Sequence, residues 1–456
     1  MRKLSILMFC LLLQSALSYS QNDVLQQYIN DALKRNLVLQ QKNFSLKQSL
    51  AALKEARGMF LPSLGIDARY SRAGGGRDFD IPVGDLVNPI YQSLNQILQQ
   101  QAFPENIPNE KVNFLRKKEH ETKLRLIQPV FQPSVLYNYK IKASLKEMAQ
   151  ARRDAFARQL VADVKTAYFT YLKTVKVVEI YQATRLLLKE NLRVSRSLFK
   201  NNKVTRDVVY RAQAELSDLQ QKTAEAQRDR DLAVNYFNFL LNRPMEEAII
   251  IENPQNDSLK NTVNLQTESR RALRNRDELR ELESAITASE NGIKLSDTAF
   301  LPGISFVFDY GYQGEKYRFT SRDDFWMGSV VLQWNIFNGF QDRAKIQKAT
   351  LEKTKMESQR QNIENLIQFQ VRQAFHNYNV ALKSIKAARE RRLSATKSFE
   401  IIDKKFRQGM ASHIEFTDAR TTRTQSEINE IVTTYDFYIR KAELERVTAN
   451  FALKYH

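Results

Sequence analysis

Residues that could do chemistry are few in this sequence and poorly placed for it. His120, His376 and His413 stand too far apart to suggest a metal site. The single cysteine, Cys10, lies inside an N-terminal apolar run, so neither a thiol nucleophile nor a cysteine metal cluster has a ligand set to draw on. Asp and Glu total 51 but fall into no recognisable catalytic arrangement, and neither a phosphate loop nor a dinucleotide fingerprint is present. The expectation is a protein that is not an enzyme, with no catalytic, cofactor-binding or metal residues. The distinctive chemistry is aromatic. Tyr70, Tyr310, Tyr312, Phe325, Trp326 and Trp334 fall in or beside short stretches where apolar and polar residues alternate. A side-chain period of two belongs to a strand, and rings at strand ends suit a lipid–water boundary. Tyr70, Tyr310, Tyr312, Trp326 and Trp334 are therefore candidates for a membrane girdle.

The strands that would carry those rings can be read directly. Leu64, Ile66, Ala68 and Tyr70 alternate with Gly65, Asp67, Arg69 and Ser71. Ile304, Phe306, Phe308, Tyr310 and Tyr312 alternate with Ser305, Val307, Asp309, Gly311 and Gln313. A return strand places Gly328, Val330, Leu332, Trp334 and Ile336 on one face, and its counterpart, Lys123 to Phe131, is more weakly patterned. Strands of about 9–11 residues with this alternation fit a tilted membrane strand. Four strands cannot close a barrel, and open edges are not tolerated in lipid. The chain must oligomerise if it enters a membrane: a dimer would supply eight strands, a trimer twelve, and twelve better enclose an aqueous passage.

The remainder is built for helix. Ser134–Arg243, Phe340–Gln408 and Met410 to the end contain neither Gly nor Pro. They are rich in Ala, Leu, Lys, Arg, Glu and Gln, the better helix formers. A single helix from Phe340 to Gln408 would be on the order of 100 Å long. Ala374, Ala381, Ala388 and Ala395 recur every seven residues, the spacing of a seam between packed helices.

The two halves repeat. Phe60-Leu-Pro aligns with Phe300-Leu-Pro, and Gln128-Pro-Val-Phe131 with Trp334-Asn-Ile-Phe337. Val164, Ala167, Tyr168 and Tyr171 align with Val371, Ala374, Phe375 and Tyr378; Phe199, Asn202, Thr205 and Ala212 align with Phe406, Gly409, Ser412 and Ala419, at one constant offset. Each repeat reads as a medium helix (about 22–58 and 263–299), a hairpin, a very long helix, a break, and another medium helix (about 205–242 and 412–454). The domain plan is 1–20 a signal peptide, 21–245 the first repeat with its hairpin at about 60–131, 246–262 a linker, and 263–456 the second repeat with its hairpin at about 300–337. Residues 72–118, with a Gly74-Gly75-Gly76 run, four prolines and a polar helix-like stretch near Gln92–Gln101, read as a long external loop.

Arg2 and Lys3 before the apolar run Leu4–Leu13, and Ser18 and Ser20 before Gln21, read as a secretory signal that is then removed. No later stretch is apolar for 18 residues, so a membrane helix is not expected. The formal charge of +19 is spread over every segment, which argues for solvated helix faces rather than a nucleic-acid patch. A competing reading is a basic coiled-coil scaffold, exported or cytosolic, that binds anionic polymers; it leaves the duplicated alternating hairpins unexplained.

In order and duplication, the two Phe-Leu-Pro motifs, Trp334-Asn-Ile-Phe-Asn-Gly-Phe340 and Gly409-Met-Ala-Ser-His-Ile-Glu-Phe-Thr-Asp-Ala419 resemble the TolC-type outer-membrane efflux protein family. The resemblance implies a mainly α fold with a small β part: a homotrimer with a long helical periplasmic barrel of 12 helices and a 12-stranded transmembrane β-barrel. It implies a passive duct for efflux or type I secretion-like export, working with a periplasmic adaptor and an inner-membrane pump of RND or ABC type. The closed tip would be formed by the turns at Asn201–Thr205 and Gln408–Ser412. Asn202, Thr205, Asp207, Gly409 and Ser412 would lie there, in reach of the adaptor. Gly409, and Asn202 as the next best choice, suit positive φ, and Ser412 or Thr205 can cap the following helix. The family's acidic aperture rings map to Glu415 and Asp418, three residues apart on one helix face, and their crowding should raise their pKa values. The arginine that often latches the family's tip maps to Ala411, leaving Arg206, Asp207 and Arg407 as candidates for other ion pairs.

Overall fold

The structure, a computed structural model, describes residues 24–252 and 263–453. The expected signal segment lies outside the described residues, as does 253–262 of the expected linker. The chain forms two compact units: one of Met1–Ala51, Ala143–Ser289 and Leu351–His456, the other of Ala52–Lys142 and Glu290–Thr350.

The first unit is helical. Its elements are α1 (Val24–Arg35), the start of α2 (Leu37–Gly58), most of α4 (Pro133–Lys200), α5 (Arg206–Leu241), α6 (Leu265–Asn275), most of α7 (Asp277–Asp297), most of α8 (Gln341–Arg407) and α9 (His413–Val447). α4 and α8 run for 68 and 67 residues, as their freedom from Gly and interior Pro predicts. Pro133 opens α4, at a first-turn position whose N–H would have no intrahelical partner.

The medium helices that precede the strands are each split, which the sequence reading did not expect. Asn36 breaks the first: its Oδ1 accepts from the N–H groups of Val38 and Leu39 at 3.0 and 3.1 Å, and its Nδ2 donates to the Leu240 carbonyl at 2.9 Å. Arg276 breaks the second, at the same offset that separates Phe60 from Phe300. Its guanidinium grips Glu278 through Nε and Nη2 and donates to the Val447 carbonyl at 3.2 Å. Asp277 beside it is 1% exposed and paired with Arg158 and Arg280 at 2.6 and 2.8 Å. In both halves one polar side chain restarts the helix and ties it to the C-terminal end of another.

The core of this unit is aromatic. Tyr28, Tyr168 and Phe237 pack ring on ring at 5.0–6.0 Å, and Phe169 stacks on Tyr438 at 5.1 Å. Tyr168 accepts from the Glu252 N–H at 3.0 Å and Tyr28 from the Ile250 N–H at 2.8 Å, which folds the segment after α5 back over the cluster. Of the alanine seam, Ala374, Ala388 and Ala395 are buried, at 4%, 2% and 7% exposure, and Ala381 is partly buried.

The second unit holds a four-stranded antiparallel sheet of β1 (Ser63–Arg72), β4 (Lys118–Phe131), β5 (Gly303–Gly314) and β6 (Asp324–Gln333), in the order β1-β4-β5-β6. β1 and β6 are its two edges. An insert between β1 and β4 carries β2 (Asp78–Ile81), α3 (Val83–Leu98) and β3 (Glu110–Asn113), with β2 paired to β3. β6 ends at Gln333, so Trp334 and Ile336, expected inside the return strand, lie beyond it. The alternation continues past the last ladder bond because the chain turns at Gly339 and Phe340, both at positive φ, to start α8. Among the described residues no helix is long and apolar enough to cross a membrane.

Phe237 is fully buried in the ring cluster. Phe237→Ala should destabilise the helical unit by about 3–5 kcal/mol, read as a lower denaturant midpoint of the helical circular dichroism signal.

Candidate functional site

Strand register sorts the sheet into two chemically different faces. Ile66, Leu124, Tyr310 and Trp326 form one cross-strand row, and Leu64, Leu126, Phe308 and Gly328 the next. These rows are apolar, and Ile66, Tyr310, Trp326 and Val330 are 42–73% exposed in the single chain. The intervening rows are charged. Asp67 faces Lys123, and Arg125 faces Asp309. Arg125 clasps Asp309 through two bonds of 2.8 Å, with Lys123 at 3.4 Å and Asp67 3.5 Å from Arg125. Gly311 is required in this network: a Cβ there would lie 2.3 Å from the Thr122 carbonyl and 2.6 Å from Lys123. The sheet is thus greasy on one side and salt-bridged on the other. β5, with 12 residues, is about 40 Å long and spans about 30 Å when tilted as membrane strands are.

The aromatic residues take up two levels. Tyr310 and Tyr312 neighbour each other at 6.3 Å, Tyr310 pairs with Trp326 across the ladder, and Tyr70 pairs with His120 at the same end. Trp334 lies at the other end, where its Nε1 donates to the Phe300 carbonyl at 3.1 Å. His120, missed in the sequence reading, is fully buried; its Nε2 lies 2.7 Å from the Lys316 carbonyl and its ring stacks on Tyr317 at 4.3 Å. It fixes the β5–β6 turn. The alternation pattern gave no sign of this, because the ring's partner lies in the turn.

The two helix turns have the same backbone. Asn202 has φ of 53° and Gly409 of 74°, the left-handed conformation that Gly and Asn tolerate best. Lys203 N–H bonds the Leu198 carbonyl and Asn202 N–H that of Phe199; Met410 bonds Lys405 and Gly409 bonds Phe406 in the same way. Each long helix therefore ends in a Schellman motif. The next helices start differently. Ser412 and Glu415 form a reciprocal capping box, with Ser412 N–H to Glu415 Oε2 at 2.7 Å and Glu415 N–H to Ser412 Oγ at 3.2 Å. Thr205 occupies the matching position but makes no side-chain cap; its hydroxyl donates to the Asp207 carboxylate instead. The bonds from Ser412 hold the Glu415 carboxyl below its ordinary pKa, opposite to the expected effect of crowding. Asp418 is exposed one turn further on. Asp207, Arg206 and Arg407 do not pair with one another within the chain. Asp207 pairs with Arg211, Arg206 lies over the Tyr210 ring, and Arg407 pairs with Asp403.

Within about three turns of these ends, each helical hairpin has an apolar contact of its own. Leu188, Leu192, Ala212, Leu216 and Leu219 join α4 to α5. Phe399 and Phe406 join Phe416, at 5.8 and 4.6 Å, between α8 and α9. Between the two hairpins runs a charged contact: Arg420 of α9, 8% exposed, places Nη2 3.2 Å from Glu215 Oε2 of α5. Burial pulls the Arg420 guanidinium below its ordinary pKa, and Glu215 opposes that. Helical spacing puts Arg420 on the same face as Phe416, but spacing alone does not name Glu215 as its partner.

His413 is half-buried at the start of α9, beside the Phe406 ring at 6.1 Å, and neither ring nitrogen has a hydrogen-bond partner among the described residues. Burial lowers its pKa below the ordinary 6.5, with Glu215 and Asp207 acting upward and Arg211 and Arg420 downward. A base whose folded pKa is depressed stabilises fully above its unfolded pKa, and that stability is lost as pH falls below about 6.5. Amide exchange in the first turns of α9 should therefore quicken on acidification through this range, and His413→Phe should remove the dependence.

Residues 269–450 match the sequence model of the family described as outer membrane efflux protein. The chain is 22% identical to the outer membrane protein TolC of Escherichia coli K12 over 98% of its own length and 86% of that protein's. In fold it is similar to a Pseudomonas aeruginosa membrane protein (TM-score 0.77, 17% identity, 93% of each chain) and to the Campylobacter jejuni CmeC outer membrane channel (TM-score 0.77, 15% identity, 93% of this chain and 85% of that one). With a match to the outer membrane efflux protein family in its second half and a likeness to TolC over nearly its whole length, the chain is similar to outer-membrane efflux proteins of the TolC type.

Proposed function

We propose that the protein is one of three identical subunits of a passive exit duct, joined by a periplasmic adaptor to an inner-membrane pump of RND or ABC type. On this reading, which its likeness to TolC supports, it sits in the outer membrane and extends into the periplasm. The observation that carries the duct reading is the four-stranded sheet with one apolar face, one charged face and two unpaired edges. Three copies joined edge to edge give twelve strands, with the Arg125–Asp309 rows toward a water-filled lumen and the Ile66–Trp326 rows toward lipid. The scaffold reading would leave that apolar face without a purpose.

The periplasmic gate would lie at the Schellman turns, with Asn202, Thr205, Asp207, Gly409 and Ser412 presented to the adaptor. Ala411 stands where the family's latching arginine is common, and the Arg420–Glu215 pair supports a different latch: an ion pair that ties the second hairpin to the first. Glu415 and Asp418 would ring the aperture. In the single chain the capping box lowers the Glu415 pKa, and three copies converging on one axis would act against it.

Recovery from membranes only with detergent, as a trimer that conducts ions in planar bilayers, is the expected result; a detergent-independent monomer overturns the reading. Glu415→Gln with Asp418→Asn keeps a side chain at the capping-box position able to reach back to the Ser412 N–H. It should raise single-channel conductance or weaken cation selectivity; unchanged currents remove both residues from the aperture. Glu215→Gln leaves Arg420 buried without its counter-charge, which costs up to about 3–5 kcal/mol in the closed state. Open probability should rise, and fall back when Arg420→Leu is added. Equal open probability in all three forms rules out the latch.

A further inference from the structure

The insert between β1 and β4 carries an apolar stripe that is exposed among the described residues. α3 is held by one face only. Gly84, Asn88, Tyr91 and Asn95 follow helical spacing along that face. Asn88 exchanges two bonds with the backbone of Ile107 at 2.9 and 3.0 Å, and Asn95 exchanges two with that of Phe103 at 2.8 and 2.9 Å. Tyr91 stacks on Phe103 at 5.1 Å, and Asp85 bonds Asn109. A Cβ on Gly84 would sit 2.0 Å from the Ile107 carbonyl, so the strap lies directly on the helix. Leu86, Ile90 and Ile97 lie about 150° round the helix from this strap. They are 66%, 57% and 76% exposed, and α3 packs extensively on no strand of its own sheet. A helix this firmly anchored on its polar side, with its aliphatic side outward, is prepared for a partner.

The position of the insert says which partner. It leaves the sheet at Arg72, the end of edge strand β1, and Arg72, Lys118, Gly314 and Asp324 mark one end of the sheet. When copies join antiparallel, β1 of one against β6 of the next, the end of β1 meets the start of β6. The β5–β6 turn of the next copy, residues 315–323, precedes that start and displays Tyr317 and Phe319 at 52% and 61% exposure. Charge favours this partner over lipid. Between Val83 and Leu98 the only charged residue is Asp85, whereas a helix lying on an anionic membrane surface carries Lys and Arg on its polar face. We propose that Leu86, Ile90 and Ile97 form a clasp over Tyr317 and Phe319 of the adjacent copy, sealing each seam outside the membrane. The proposal rests on the three-copy barrel reading.

The test uses the full-length protein in detergent. The triple variant Leu86→Asp, Ile90→Asp, Ile97→Asp should lower the temperature at which the trimer separates in dodecyl sulfate. Dissociation at the wild-type temperature overturns the clasp. In a second variant, Ile97→Cys with Phe319→Cys, mild oxidation should produce a ladder of linked chains on a denaturing gel. A lowered temperature without that ladder shows that the stripe meets something other than the turn, and overturns the assignment. If the wild-type protein is itself no trimer, the barrel reading falls and the clasp with it; if the wild type is a trimer and the variants behave like it, the clasp alone falls.

Discussion

A backbone amide that enters hydrocarbon must find its hydrogen-bond partner within protein, because each one left open costs several kcal/mol. β1 and β6, ten residues each, both carry a row of such groups along an unpaired edge. Much else in the molecule is arranged around that constraint. The edges are of equal length, so one can satisfy the other. The faces they border are sorted by row, so that closing the edges also sorts lipid from water. The charged groups of the inner rows are paired before assembly, with Asp309 fully buried between Arg125 and Lys123, and they bring no free charge to the lipid side.

The helical unit has an aromatic core of its own. Tyr28, Tyr168 and Phe237 bind α1, α4 and α5, and the Asn36 and Arg276 breaks stitch the pre-strand helices to the ends of α5 and α9. Both breaks sit at the same place in the duplicated plan but use unrelated chemistry, an amide in one half and a guanidinium in the other. What duplication has preserved is the geometry of the restart rather than the residue.

How much of this could be read beforehand depends on whether the signal is local. Long helices were legible because Gly and Pro are missing over long runs, and the turns because Gly409 interrupts one run and the repeat offset maps it onto Asn202 in the other. Alternation revealed the strands but overran β6, since Trp334 and Ile336 keep the rhythm after the ladder has stopped. The Asn36 and Arg276 breaks were missed because neither is a helix breaker by type; Asn36 acts as a cap, and Asp277 and Glu278 after Arg276 are the acidic first turn that marks a restart. The Arg420–Glu215 pair was out of reach for a different reason. It depends on which of several long helices lie face to face, and a sequence with one dominant seam per helix does not reveal that. Glu415 and Asp418 were picked out by resemblance, and the capping box added a local role for Glu415 that spacing alone had not separated from an aperture role.

The open-edged sheet has a genetic consequence. In the proposed three-copy barrel no seam is spare, so one faulty β1 or β6 edge would disable the two good copies closed against it. In a cell that makes equal amounts of sound and faulty chain, random mixing leaves only about one assembly in eight wholly sound. Lesions along these two strands should therefore behave as dominant, whereas lesions that unfold the chain before it assembles should be recessive. The inheritance pattern of a mutation would then report on which side of assembly it acts.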